Sequence, residues 1–169
     1  MRAIGEAAGV LSGSLYHHFD SKEAMVDELL ATYFEALLGR YNEIIEAGRP
    51  PLETFREMVY VAFDTIEQHR AATRTLQNEG RYFAALPRFA YLKDRERTIE
   101  ELWIGIIKSG KASGAIRSNL DPRTVYRFAR DGIWVAARWY KPTGKLTHRD
   151  LADQFLTILL AGIAAPTTE

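Results

Sequence analysis

The sequence contains no cysteine, so disulfides and thiolate metal sites are excluded. No apolar run approaches the length of a membrane span, and the N-terminus lacks the basic-then-apolar pattern of a secretory signal; a soluble, cytoplasmic protein is expected. Neither sign of charge is in excess. The 22 lysines and arginines balance 22 aspartates and glutamates, which argues against a broadly basic nucleic-acid surface. The four histidines, His17, His18, His69 and His148, do not fall at zinc-ligand spacing, and the glycines and serines form neither a phosphate loop nor a nucleophile elbow. No catalytic constellation emerges, and no metal or resident cofactor is implied. Period-two alternation is missing too, so no strand is expected.

What is present is helical periodicity. Apolar residues recur at helical steps from Ser21 to Ala47, through Met25, Leu29, Leu30, Tyr33, Leu37, Leu38, Tyr41, Ile44 and Ile45, with Asp20 and Glu23 at capping-box spacing. Gly48, Pro50 and Pro51 stop that helix and start another, which runs from Leu52 to near His69 and Arg70. A shorter helix covers Ala72 to Phe83, Pro87 breaks it, and a long one follows to about Lys111 before Gly110 and Gly114 punctuate its end. Two clear starts come last: Leu120, Asp121, Pro122 and Val125 read as staple, cap, first-turn proline and staple partner, and Leu146, Thr147, Asp150 and Leu151 repeat the logic. The final helix, through Leu151, Phe155, Leu156, Ile158, Leu159, Leu160 and Ile163, is apolar around nearly its whole circumference. It needs cover on both sides, from the body of one subunit or from a second copy of the chain.

The stretch Gly9 to Glu23, GVLSGSLYHHFDSKE, reads as the second half of a helix-turn-helix. Gly9 can close one short helix with a positive φ, and another begins near Ser12. Ser12, Gly13 and Ser14 keep its first turn small, so backbone N–H groups and the positive helix end can approach an anion. Leu15 and Phe19 give an inward face, while Tyr16, His17 and His18 supply donors for phosphates or base edges.

These residues closely resemble the signature of TetR-family transcriptional regulators, matching at Gly9, Val10, Gly13, Ser14, Leu15, Tyr16, His18, Phe19, Ser21, Lys22 and Glu23. The resemblance implies phosphate contacts by Tyr16, His18 and Lys22, with Ser12, Gly13, Ser14 and His17 near the bases. One departure is Leu11, where the family usually has Ser, so the common helix cap is lost or passes to Ser12. It also implies an all-α, TetR-like fold: a truncated helix-turn-helix head over residues 1–23, lacking the family's first helix and arm, and a helical ligand-binding and dimerisation body over residues 24–169. A ligand-responsive repressor that binds palindromic operator DNA as a homodimer is the function expected. A ligand-binding dimer that no longer binds DNA is the alternative.

The penultimate helix, VYRFARDGIWVAARWYKP, carries the most informative chemistry. Val125, Phe128, Gly132, Val135 and Trp139 form an apolar seam, and Arg130, Trp134 and Arg138 form a second stripe at steps of four. Arg127 has Asp131 four residues on. Arg130 and Arg138 have no acid three or four positions away, so their counter-ion comes from another helix or from an anionic ligand with a flat ring to lie on Trp134. Together with the head motif, YRFxRDxxWVxxRWYxP resembles the TetR-type repressors of sterol ring degradation, regulators of cholesterol catabolism. That likeness implies release from DNA by a coenzyme A thioester of a steroid degradation intermediate, two rings with a propanoyl side chain. Arg130, Trp134 and Arg138 would hold the coenzyme, and an apolar cavity would hold the rings. Tyr60, Phe63, Phe83, Phe89 and Trp103 are candidates for lining it or for plain core.

Overall fold

The computed structural model describes residues 20–141 and 143–163. They form six α-helices and one 3-10 turn: α1 (Lys22–Glu46), α2 (Pro51–Gln68), α3 (Arg70–Ala84), the turn Pro87–Phe89, α4 (Tyr91–Ala112), α5 (Pro122–Trp139) and α6 (His148–Ile163). The all-α body expected from the periodicity is present, and the division after residue 23 falls inside the first turn of α1.

Local chemistry accounts for the ends. The first cap differs from the expected pairing of Asp20 with Glu23: Ser21 is the N-cap, its Oγ accepting from the Ala24 N–H at 3.0 Å. Ser21 has the extended backbone a cap requires, and its short hydroxyl reaches the third N–H of the helix. Ser21→Ala should cost about 1 kcal/mol, lowering the melting temperature by roughly 2–4 °C, which differential scanning calorimetry would read. Gly48 takes φ +65 and turns the chain into Pro51 at the head of α2. Asp121 caps α5 through the Thr124 N–H at 2.8 Å, and this bond holds its carboxyl below the usual range. At α6, Asp150 accepts from the Thr147 N–H at 2.9 Å while the Asp150 N–H donates to Thr147 Oγ at 3.1 Å, a reciprocal capping box.

α2 is the central helix, packed against α1, α4 and α6. Its Phe55, Met58 and Val59 are fully buried, and Phe55 meets the Trp103 ring of α4 edge-on at 5.2 Å. Trp103 also receives Tyr41 of α1 at 6.0 Å and Tyr126 of α5 at 6.3 Å, so one indole joins four helices. α5 and α6 lie along one side of this core, close enough at Gly132 that a Cβ there would stand 2.7 Å from the Phe155 ring.

Candidate functional site

Of the residues expected to meet DNA, Ser12, Gly13, Ser14, Tyr16, His17 and His18 lie outside the described residues. Lys22 is described. It stands exposed as the first residue of α1, at the positive end of the helix, where a cation gains nothing from the helix dipole but a phosphate gains from both.

α5 presents three faces. Val125, Tyr126, Ala129, Ile133 and Ala136 are buried and form its core face. The expected seam is a different face from this one. Val125 alone of the larger seam residues is buried; Phe128, Val135 and Trp139 are 70%, 53% and 57% exposed. Ile158 of α6 joins them at 78%. The seam therefore belongs to the outside of the subunit, because the adjacent stripe of α5, through Tyr126, Ala129, Ile133 and Ala136, already covers the core. The all-round apolar α6 divides likewise: Leu151, Ala152, Leu156, Leu160 and Ile163 face the body, Phe155 and Leu159 are half-buried, and Ile158 stands clear.

The third face carries Arg130, Trp134 and Arg138. Arg130 is not without a counter-ion: its Nε and Nη2 lie 2.8 and 2.7 Å from Asp131 Oδ1. Arg127, four residues before Asp131, is not the one that takes it. The Arg130 guanidinium also sits 5.6 Å from the centre of the Tyr126 ring, one helical turn earlier. Asp131 and this ring hold its pKa up against desolvation. Glu96 of α4 is near enough to feel the same charge: desolvation raises its carboxyl and Arg130 pulls it back. Trp134 is half-buried, and its carbonyl accepts from Gln77 Nε2 of α3 at 2.8 Å. Arg138 is exposed in the last turn of α5, with no ion-pair partner among the described residues. Its bland role is to neutralise the negative end of α5.

Tyr126 was legible one turn before Arg130. Asp131 was missed because adjacent residues point to different sides of a helix, yet the long arginine folds back to reach it. Gln77 left no local signal, since 57 residues separate it from Trp134.

Phe63, Phe83, Phe89 and Trp103 are buried core residues here; the Phe83 and Phe89 rings pack at 4.8 Å and Phe63 meets Phe155 at 5.7 Å. Tyr60 is half-buried and its hydroxyl donates a hydrogen bond to Asp153 Oδ1 of α6. A groove of about 380 Å³ lies elsewhere, between α1 and the start of α4, lined by Ala24, Asp27, Glu28, Ala31, Tyr91 and Arg95. At its edge the Tyr91 hydroxyl donates to the Asp27 carbonyl at 3.3 Å, and Arg88 Nη1 is 3.5 Å from Asp27 Oδ2.

Two family models match. Residues 48–163 fit the tetracyclin repressor-like C-terminal domain, and residues 1–29 fit the bacterial regulatory proteins of the tetR family. The chain belongs to the TetR family. It is a TetR-type transcriptional repressor rather than an enzyme, and it is similar over nearly its whole length to the HTH-type transcriptional repressor KstR2. Identity to KstR2 of Rhodococcus jostii is 42% over 166 residues, 98% of this chain and 81% of that one. Identity to the Mycobacterium tuberculosis protein is 43% over 96% of this chain and 82% of that one. The structure of ketosteroid transcriptional regulator KstR2 of Mycobacterium tuberculosis matches with a TM-score of 0.90 at 42% identity, covering 98% of this chain and 84% of that one. A TetR-fold protein at 21% identity and TM-score 0.72, AibR in complex with isovaleryl coenzyme A and operator DNA, covers 94% and 85% and shares the architecture. For this TetR chain, no helix among the described residues is long and apolar enough to cross a membrane.

Proposed function

We propose that this TetR-type repressor controls genes of sterol, including cholesterol, catabolism in the cytoplasm. On this reading its homodimer is released from a palindromic operator by a coenzyme A thioester of a steroid degradation intermediate, two rings with a propanoyl side chain. Residues 1–23 form the reading head, with Ser12, Gly13, Ser14 and His17 at the bases and Tyr16, His18 and Lys22 on phosphates; residues 24–169 bind the effector and dimerise.

The stripe on α5 carries the effector reading. Eight residues separate Arg130 from Arg138, about 12 Å along a helix, with the Trp134 ring between them. Two guanidiniums so spaced can each take a different anionic group with a flat ring between them. An elongated polyanion carrying a flat base suits that arrangement, and coenzyme A is one. The ketosteroid regulator in a relative's name supports an apolar ring system as the acyl part, and AibR with isovaleryl coenzyme A and operator DNA is a protein of the same fold whose complex holds a thioester.

Release needs an effector that favours one conformation over another, since equal affinity for both shifts nothing. α1 is the natural lever. It begins at the head, and its Asp27 is gripped by Arg88 and Tyr91 at the turn into α4. Titration of the thioester against a labelled operator complex should release DNA at concentrations where the free acid does not. Equal potency of the acid would remove the coenzyme from the mechanism.

A further inference from the structure

α3 borders the α5 stripe and is weakly anchored by its own side chains. Of its 15 residues only Ala72, Thr73 and Phe83 are buried. Few buried apolar contacts make a helix easy to displace locally. α3 nevertheless borders both ends of the proposed response. At its N-cap, the His69 ring meets Tyr33 of α1 edge-on at 6.1 Å. Toward α5, among the described residues, Arg70 lies 5.6 Å from the centre of the ring of Tyr140, the C-cap of α5, and Gln77 Nε2 donates to the Trp134 carbonyl at 2.8 Å. Gln77 supplies the hydrogen bond between α3 and α5 among the described residues, and it does so at the midpoint of the Arg130–Trp134–Arg138 stripe.

Beside α3, Phe83 packs on Phe89 at 4.8 Å. An apolar ring system that enters between α3 and the turn Pro87–Phe89 must displace one of these rings, and α3 carries Phe83.

We infer that Gln77 is the latch of the effector site: its amide holds α3 closed over Trp134 in the effector-free protein, and effector binding breaks that bond as α3 shifts. The inference rests on the effector reading given above. Removing the latch should help the ligand rather than hinder it, because the ligand no longer spends binding energy on opening the site. One net hydrogen bond corresponds to roughly a fivefold change in an equilibrium constant. If the closed state dominates at about 99 to 1, a fivefold shift leaves it near 95 to 5, so operator affinity without ligand hardly changes while apparent thioester affinity rises about fivefold.

Two measurements on the whole chain test this. In Gln77→Leu, which keeps bulk and loses the donor, hydrogen exchange of the α3 amides should quicken roughly fivefold without any ligand, since the helix opens more readily. Calorimetry with the two-ring propanoyl-coenzyme A thioester should show tighter binding by the same factor. Gln77→Glu should quicken exchange equally, because a carboxylate cannot donate to the Trp134 carbonyl, but should bind the thioester less well than Gln77→Leu because it adds an anion. Unchanged exchange in both variants overturns the latch. Faster exchange with thioester affinity equal to or below that of the parent overturns its part in effector entry, and the effector site itself then stands or falls with the response of Arg138→Ala.

Discussion

Ile158→Asp should turn a dimer into a monomer, with the dissociation constant raised about a hundredfold or more. Ile158 is 78% exposed, as Phe128, Val135 and Trp139 are by more than half, and Gly132 of that α5 stripe abuts Phe155, three residues before Ile158. A cluster of this kind, left in water, forgoes about 1.5–3 kcal/mol for each large side chain. A two-fold interface places the substitution on both copies, so the loss is about 3–6 kcal/mol per dimer before the cost of burying two carboxylates is added. By the usual conversion of 1.4 kcal/mol per tenfold, even the lower figure exceeds a hundredfold. Leu159→Asp is the poorer probe, because Leu159 packs partly against the core and its loss would disturb the subunit itself. Sedimentation equilibrium on the Ile158 variant, with circular dichroism to confirm an unchanged helix content, checks the prediction. A monomeric parent chain at the same concentrations would remove the basis for two-fold operator recognition.

Arg138→Ala should weaken thioester binding about tenfold. A charge-assisted hydrogen bond contributes about 1.5–3 kcal/mol, and an exposed group delivers the lower end of that range. Arg130→Ala should cost less, since Arg130 already holds Asp131 at 2.7 Å and must exchange one anion for another. The same pairing predicts a variant of opposite sign: Asp131→Asn frees the guanidinium and removes a repelling carboxylate, so the thioester should bind a few-fold more tightly. Isothermal titration calorimetry on the three variants gives the order. Affinity of Arg138→Ala equal to that of the parent would sink the assignment of this stripe to the coenzyme. Operator affinity without ligand should hardly change in any of them, because all three positions lie in the body.

The sequence by itself determined the helices and most of their ends, though not the cap of α1 or the start of α3. Apolar spacing fixed α1 within a residue of its observed bounds, and Asp121, Pro122, Thr147 and Asp150 announced the starts of α5 and α6, because caps and periodicity act over a few neighbouring residues. The head motif, read in order, also carried the family. Tertiary structure decided which apolar stripe of α5 faces inward. Two stripes one residue apart on that helix are both apolar, and only the position of α2, α4 and α6 selects Ala129, Ile133 and Ala136 for the core and leaves Phe128, Val135 and Trp139 outside. It decided the counter-ion of Arg130 as well, where a flexible side chain overrode helical spacing to reach its neighbour. Gln77 belongs wholly to the fold: a hydrogen bond between residues 57 apart exists only once two helices have been brought side by side, and nothing in the chemistry of either residue alone foretells it.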